Sequence, residues 1–193
     1  VDAVQGSGTI ELTSSIALSD QVTIDSGKTI ILDMNGETLS IGFSDSSKNL
    51  IVNNGTLTIT GDGTFDATEA TSYKGFINNY GTLTVENGTF QIADKAMTVH
   101  LRNQDGGKAV INGGTFSGGA TIVRSFEGSN TTITGGSFTN SVYPAVDVNG
   151  ETLITGGIFT NTSCSRCDSQ NWGYTVRSGV DNDPDAKLTI TPS

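Results

Sequence analysis

Polar and apolar residues alternate along this chain in short bursts, each closed by a glycine-containing turn. "TLTIT" (56–60), "TLTV" (82–85) and "AVDVN" (145–149) have the period of two that turns one face of a strand inward and the other outward. Upstream, "VTIDSGKTIILDMNGETLSI" (22–41) predicts strands at Val22–Ile24, Ile30–Leu32 and Leu39–Ile41, separated by "SGK" and "MNGE".

A longer period overlies the short one. "GDGTF" (61–65), "ENGTF" (86–90), "NGGTF" (112–116), "TGGSF" (134–138) and "TGGIF" (155–159) put phenylalanines at 65, 90, 116, 138 and 159, in steps of 25, 26, 22 and 21 residues. A period of this size marks a solenoid. Each unit reads as an apolar strand, a polar turn, a second β-branched strand and the GxF element. About eight coils are expected, forming a single domain over 1–193. No coil can bury its apolar face alone, so stacking supplies the core. Glycine reaches the backbone angles of a corner without steric cost. The phenylalanine after it opens the next strand and points inward, ~4.8 Å from its counterparts one coil away. Asn53 and Asn54 in "VNNG", and Asn78 and Asn79 in "INNYG", read as a ladder of amides that satisfy one another from coil to coil.

Coils of this length, from "SGKTIILDMNGETL" to "TLTVENGTF", resemble the parallel β-helix repeats of the pectin-lyase-like superfamily. Within it they are most similar to the Thr- and Gly-rich segments of large bacterial surface proteins. The resemblance covers nearly the whole chain. It implies an all-β, right-handed parallel β-helix, and an extracellular protein that is secreted or anchored to a cell wall. It selects no single function, because the fold carries lyases, hydrolases, adhesins and tailspikes alike.

Composition agrees with strands. There are 25 Gly, and Thr, Ser and Asn are abundant, all poor helix formers. Hydrophobic residues make up 34%, low for one globular core but enough for a slender one. A net charge of −10 argues against nucleic acid and anionic membranes as partners, since phosphates are met by Lys and Arg. No apolar run approaches the ~20 residues that cross a bilayer, so no membrane insertion is expected. The ends, "VDAVQGSGTI" and "TITPS", read as cut, with flanking domains beyond them.

Two places could hold chemistry. The first is "TNTSCSRCDSQNWGY" (160–174), with Trp172, Tyr174, Arg166, Asp168 and Gln170. An indole beside amides and carboxylates suits a sugar, whose ring face stacks while its hydroxyls hydrogen-bond. Equally, Trp172 can plug the end of the solenoid as a cap. Cys164 and Cys167 are expected to form a local disulfide that stiffens the loop, with free thiols or a metal or redox role as alternatives. The second place is an outward column on the first strand of each coil: Asn53, Asn78, His100, Val123 or Arg124, Asp147 and Arg177, with Arg102 beside it. This is either a solvated face or a shallow groove for a glycan. A one-residue slip would turn every side chain over.

Weaker signals remain. Asp181, Asp183 and Asp185 in "DNDPDAK" have the alternating spacing of a calcium loop, but Ala186 stands where its glycine belongs. No other cofactor is expected. Tyr73 and Lys74 in "DATEATSYKG" (66–75) read as cover for the flank of the core. Outward Thr pairs at 56/58 and 82/84 would suit ice, but Lys108 and Glu151 interrupt the pattern.

The function expected is a non-enzymatic surface or adhesin module that presents a glycan- or host-protein-binding surface on a β-helical stalk. The alternative is a carbohydrate-active lyase or hydrolase acting on an acidic polysaccharide. For that, the resemblance implies clustered carboxylates with calcium, or several Asp with a His. "TVHLR" holds the only His, without such a cluster, and Asp147 has no evident acid partner. The third reading is a pure structural spacer.

Overall fold

The computed structural model describes residues 6–43, 45, 47–69, 75–93, 98–140, 143–162, 175–178 and 186–191. Among these there are only strands, and all of their pairings are parallel. They form three sheets of eight, seven and seven strands. A representative coil runs through Thr82–Val85 in sheet I, Thr89–Ile92 in sheet II and Val99–Asn103 in sheet III. The next repeats it as Lys108–Ile111, Thr115–Ser117 and Thr121–Ser125. The chain is a parallel β-helix. Its seven-stranded sheets put the coil count slightly below the eight expected. The strands predicted upstream appear at Val22–Ile24, Thr29–Asp33 and Thr38–Ile41.

Strict alternation explains why these segments become strands. In Thr56–Thr60, Leu57 and Ile59 are buried between half-buried threonines. Parallel register then stacks like on like. Ile59, Val85, Ile111, Ile133 and Ile154 form one inner column of sheet I. Leu57, Leu83, Ala109, Thr131 and Thr152 form the other.

The GxF element forms the strands of sheet II. Rings Phe65–Phe90, Phe90–Phe116, Phe116–Phe138 and Phe138–Phe159 stack with centroids 4.6, 4.5, 5.0 and 4.7 Å apart. The coil pitch imposes this spacing. The glycine two residues before the ring has φ of 116° at Gly88 and 101° at Gly136. A Cβ there would come within 3.3 and 3.1 Å of the following phenylalanine ring. Glycine is therefore needed twice over, for the corner angle and for the ring that folds back across it.

The amide ladder is present where sheet III turns into sheet I, but it takes Asn53 and Asn79 and not Asn54, which is exposed, or Asn78, which bonds to Tyr80 and Gln104. Asn53 Nδ2 donates to Asn79 Oδ1 at 2.7 Å, and Asn79 Nδ2 to Asn103 Oδ1 at 2.8 Å. Asn103 Nδ2 donates onward to Thr131 Oγ1 at 3.0 Å. One coil later the same place is held by the Ser125–Thr152 hydroxyl pair, 3.0 Å apart. A narrow core thus keeps buried polar groups because each finds a partner one coil away.

Candidate functional site

The outer face of sheet III carries the column that concentrates charge. Register pairs Val52 with Asn78, Asn78 with Arg102, Arg102 with Arg124, Arg124 with Asp147, and Asp147 with Arg177. Asn78, Arg124, Asp147 and Arg177 thus stand in the outward column as expected, and Arg102 joins it directly. Two expectations are corrected. Asn53 points inward as the first rung of the ladder, and its outward place is taken by Val52. His100 is 1% exposed and lies inside the coil.

His100 sits at the corner where the chain enters sheet III, between the rings of Phe76 and Phe116 at 5.5 and 6.0 Å. Its Nε2–H donates to the Gly118 carbonyl at 3.2 Å, while Nδ1 is buried without a partner among the described residues. Burial pushes its pKa down to about 4, with the nearby Gly118 and Ser117 carbonyls opposing the shift. The imidazole is neutral at pH 7 and serves as a core residue.

Asp147 is nearly buried beneath two guanidinia. Its Oδ1 accepts from Arg177 Nη2 at 3.1 Å and Nε at 3.3 Å, and its Oδ2 lies 3.5 Å from Arg124 Nε. This carboxylate is committed to structure. Arg102 is different: among the described residues no carboxylate lies within salt-bridge distance of it. Burial, and then the neighbouring Arg124 charge, lower its pKa.

A second column runs beside the first. The amides of Tyr80, Gln104 and Phe126 each bond to the ladder residue of the preceding coil, Asn53, Asn79 and Asn103, all at 2.8 Å. The three residues therefore hold the same place in successive coils. Tyr80 is 47% exposed and its hydroxyl accepts from Asn78 Nδ2 at 3.2 Å. Gln104 Nε2 donates to Asn78 Oδ1 at 2.6 Å. The guanidinium carbons of Arg102 and Arg124 lie 5.3 and 5.0 Å from the Phe126 ring centre, in cation–π range. The result is a patch of two aromatics, two amides and two cations, with Asn78, Arg102 and Arg124 on consecutive strands of sheet III and Tyr80, Gln104 and Phe126 directly after them. Past it opens a cavity of about 560 Å³ lined by Asp105, Glu127, Ser129, Asn130, Asn149 and Glu151.

Sequence reasoning missed Tyr80, Gln104 and Phe126. Their signal lies in aligning "NNYG", "RNQDG" and "RSFEG", where each occupies the same place after the ladder position. Trp172, Tyr174, Arg166, Asp168, Gln170, the Cys164–Cys167 pair, the calcium candidates Asp181, Asp183 and Asp185, and Tyr73 and Lys74 lie outside the described residues. Among the described residues no three His, Cys, Asp or Glu gather to hold a metal. Comparison with family models, curated proteins and solved structures returned no match, so the geometry of sheet III carries the functional argument.

Proposed function

We propose that this β-helix is a non-enzymatic module of an extracellular, secreted or wall-anchored bacterial surface protein, and that the outer face of sheet III binds a glycan or a host surface protein. The observation that supports this most is the patch of Tyr80, Phe126, Asn78, Gln104, Arg102 and Arg124. Aromatic rings beside fixed amides offer stacking and paired hydrogen bonds together. Asn78, Arg102 and Arg124 sit on consecutive β-strands and the other three directly after them, hydrogen-bonded through their amides to the preceding coil, so little ordering entropy is lost on binding. The Trp172 loop remains a second contact region on the same reading.

Hydrolysis would need two acids placed across a scissile bond. The one carboxylate in the sheet III column, Asp147, is held between Arg124 and Arg177. Among the described residues, acids line one cavity together, at Asp105, Glu127 and Glu151, and a carbohydrate-active enzyme would have to work there. Glu151 there is 3.1 Å from Lys187 Nζ.

The test is a screen of the 193-residue chain on a glycan array and a host-protein panel, with Tyr80→Ala and Trp172→Ala alongside. Tyr80→Ala should lower binding while the melting temperature holds. Loss only in Trp172→Ala moves the site to residues 160–174. No binding at all leaves a spacer, and release of unsaturated or reducing sugar from an acidic polysaccharide would establish an enzyme.

A further inference from the structure

Arg102 and Arg124 stand opposite each other in adjacent strands of sheet III, ~4.8 Å apart at the backbone. Like charges directly opposed on a sheet destabilise it, so the pairing calls for compensation. Phe126 provides some, since both guanidinia lie within 5.3 Å of its ring centre. Asp147 compensates Arg124 at 3.5 Å. For Arg102 the described residues provide no carboxylate, although the chain as a whole carries a net charge of −10. Its Nε, like that of Arg124, is buried without a hydrogen-bond acceptor among the described residues, an arrangement that costs free energy. Burial and the Arg124 charge both weigh against its protonated form.

We infer that Arg102 and Arg124 together form an oxyanion site, which takes a carboxylate or sulfate carried by an acidic glycan, with Phe126 and Tyr80 flanking the sugar. The inference rests on the glycan-binding reading of sheet III and narrows it to acidic ligands. A guanidinium offers a planar fork of N–H donors that matches a carboxylate or sulfate edge. Two such forks stand one coil apart, both held against one ring. An incoming anion would pair with the guanidinium charge of Arg102 and relieve the like-charge pairing in the same step.

The experiment is an array in which each glycan appears in sialylated or sulfated form beside its neutral parent, probed with wild type, Arg102→Gln and Arg102→Lys. The inference expects binding to the acidic member of a pair. Arg102→Gln should weaken it about tenfold, the size of one lost charged hydrogen bond. Millimolar sodium sulfate should compete. Arg102→Lys keeps a charge without the fork, and should fall in between with an unchanged melting temperature, which guards against a Gln variant that fails to fold. Equal binding of neutral and acidic partners would overturn the oxyanion site and leave the glycan-binding reading standing. Binding of sulfate alone, or only of acidic peptides, would overturn the glycan part. Silence across the array would overturn both.

Discussion

Phe116 and Phe138 lie one coil apart with ring centroids 5.0 Å from each other and planes within 1° of parallel. They sit in the middle of a five-ring column, so Phe116 has a ring on either side, Phe90 at 4.5 Å being the other. Phe116→Ala should remove both contacts and open a cavity that the neighbouring coils cannot collapse into, costing about 3–5 kcal/mol. Phe159 has one stacked neighbour and is only partly buried, so Phe159→Ala should cost less than half as much. Urea denaturation checks the pair. Equal losses would mean that the column is not the axis of the core.

That column was legible because each coil contributes one phenylalanine at one place, and the steps of 21 to 26 residues fix register without reference to side-chain direction. The outward face was harder to read. Asn53 and Asn79 belong inside as ladder rungs, and taking Asn53 as outward moves the frame by one residue. At the N-terminal end of its strand, Val99, His100 and Leu101 are buried in succession. One strand later Ile122 and Val123 are both buried, and both amides donate to the Ala145 carbonyl at 3.0 and 2.9 Å. Period-two parity fails at such corners, since the backbone is turning between sheets there. Residues 163–174 have no counterpart in other coils, so repetition offers no frame for Trp172.

His100 makes the chain acid-sensitive in a defined window. Its folded pKa of about 4 lies below the ordinary value of 6.5, so between these values the unfolded chain holds more protons than the folded one. Stability due to the neutral buried ring is complete above about pH 7 and is lost as pH falls toward 4. From pH 7.5 to 5 the loss should be about 2 kcal/mol, from 1.36 kcal/mol per pKa unit. The chain has a single histidine, so His100→Leu should flatten the urea midpoint against pH over this range. An unchanged slope in that variant would place the proton uptake elsewhere.

Asp147 is the keystone of the sheet III column, with Arg124 and Arg177 on either side and a side chain only 5% exposed. Asp147→Asn preserves shape and removes the charge. Two cations then face each other across a neutral amide, the expensive way to break a buried ion pair. Arg124 is a third exposed, so water offsets part of the penalty. A loss of about 2 kcal/mol is expected, read as a lower urea midpoint with an unaltered m-value. Asp147→Asn without effect would show that the carboxylate is dispensable to the fold.

Asn78 and Asn79 are neighbours in one strand with opposite duties, and that contrast tests the face assignment directly. Asn79 is fully buried. It accepts from Asn53 at 2.7 Å and donates to Asn103 Oδ1 at 2.8 Å, to the Lys108 carbonyl at 3.1 Å and to the Gly81 carbonyl at 3.1 Å. Asn79→Leu keeps the volume but strips these buried acceptors of their donor, at an expected cost of about 2–4 kcal/mol. Asn79→Asp should be worse, because it turns a buried charged acceptor toward three acceptors. Asn78 points outward, to Tyr80 and Gln104, and Asn78→Ala should stay within about 0.5 kcal/mol of wild type. Equal losses at 78 and 79 would place the strand one residue out of register, and would take the Arg102–Arg124 column off the outer face with it.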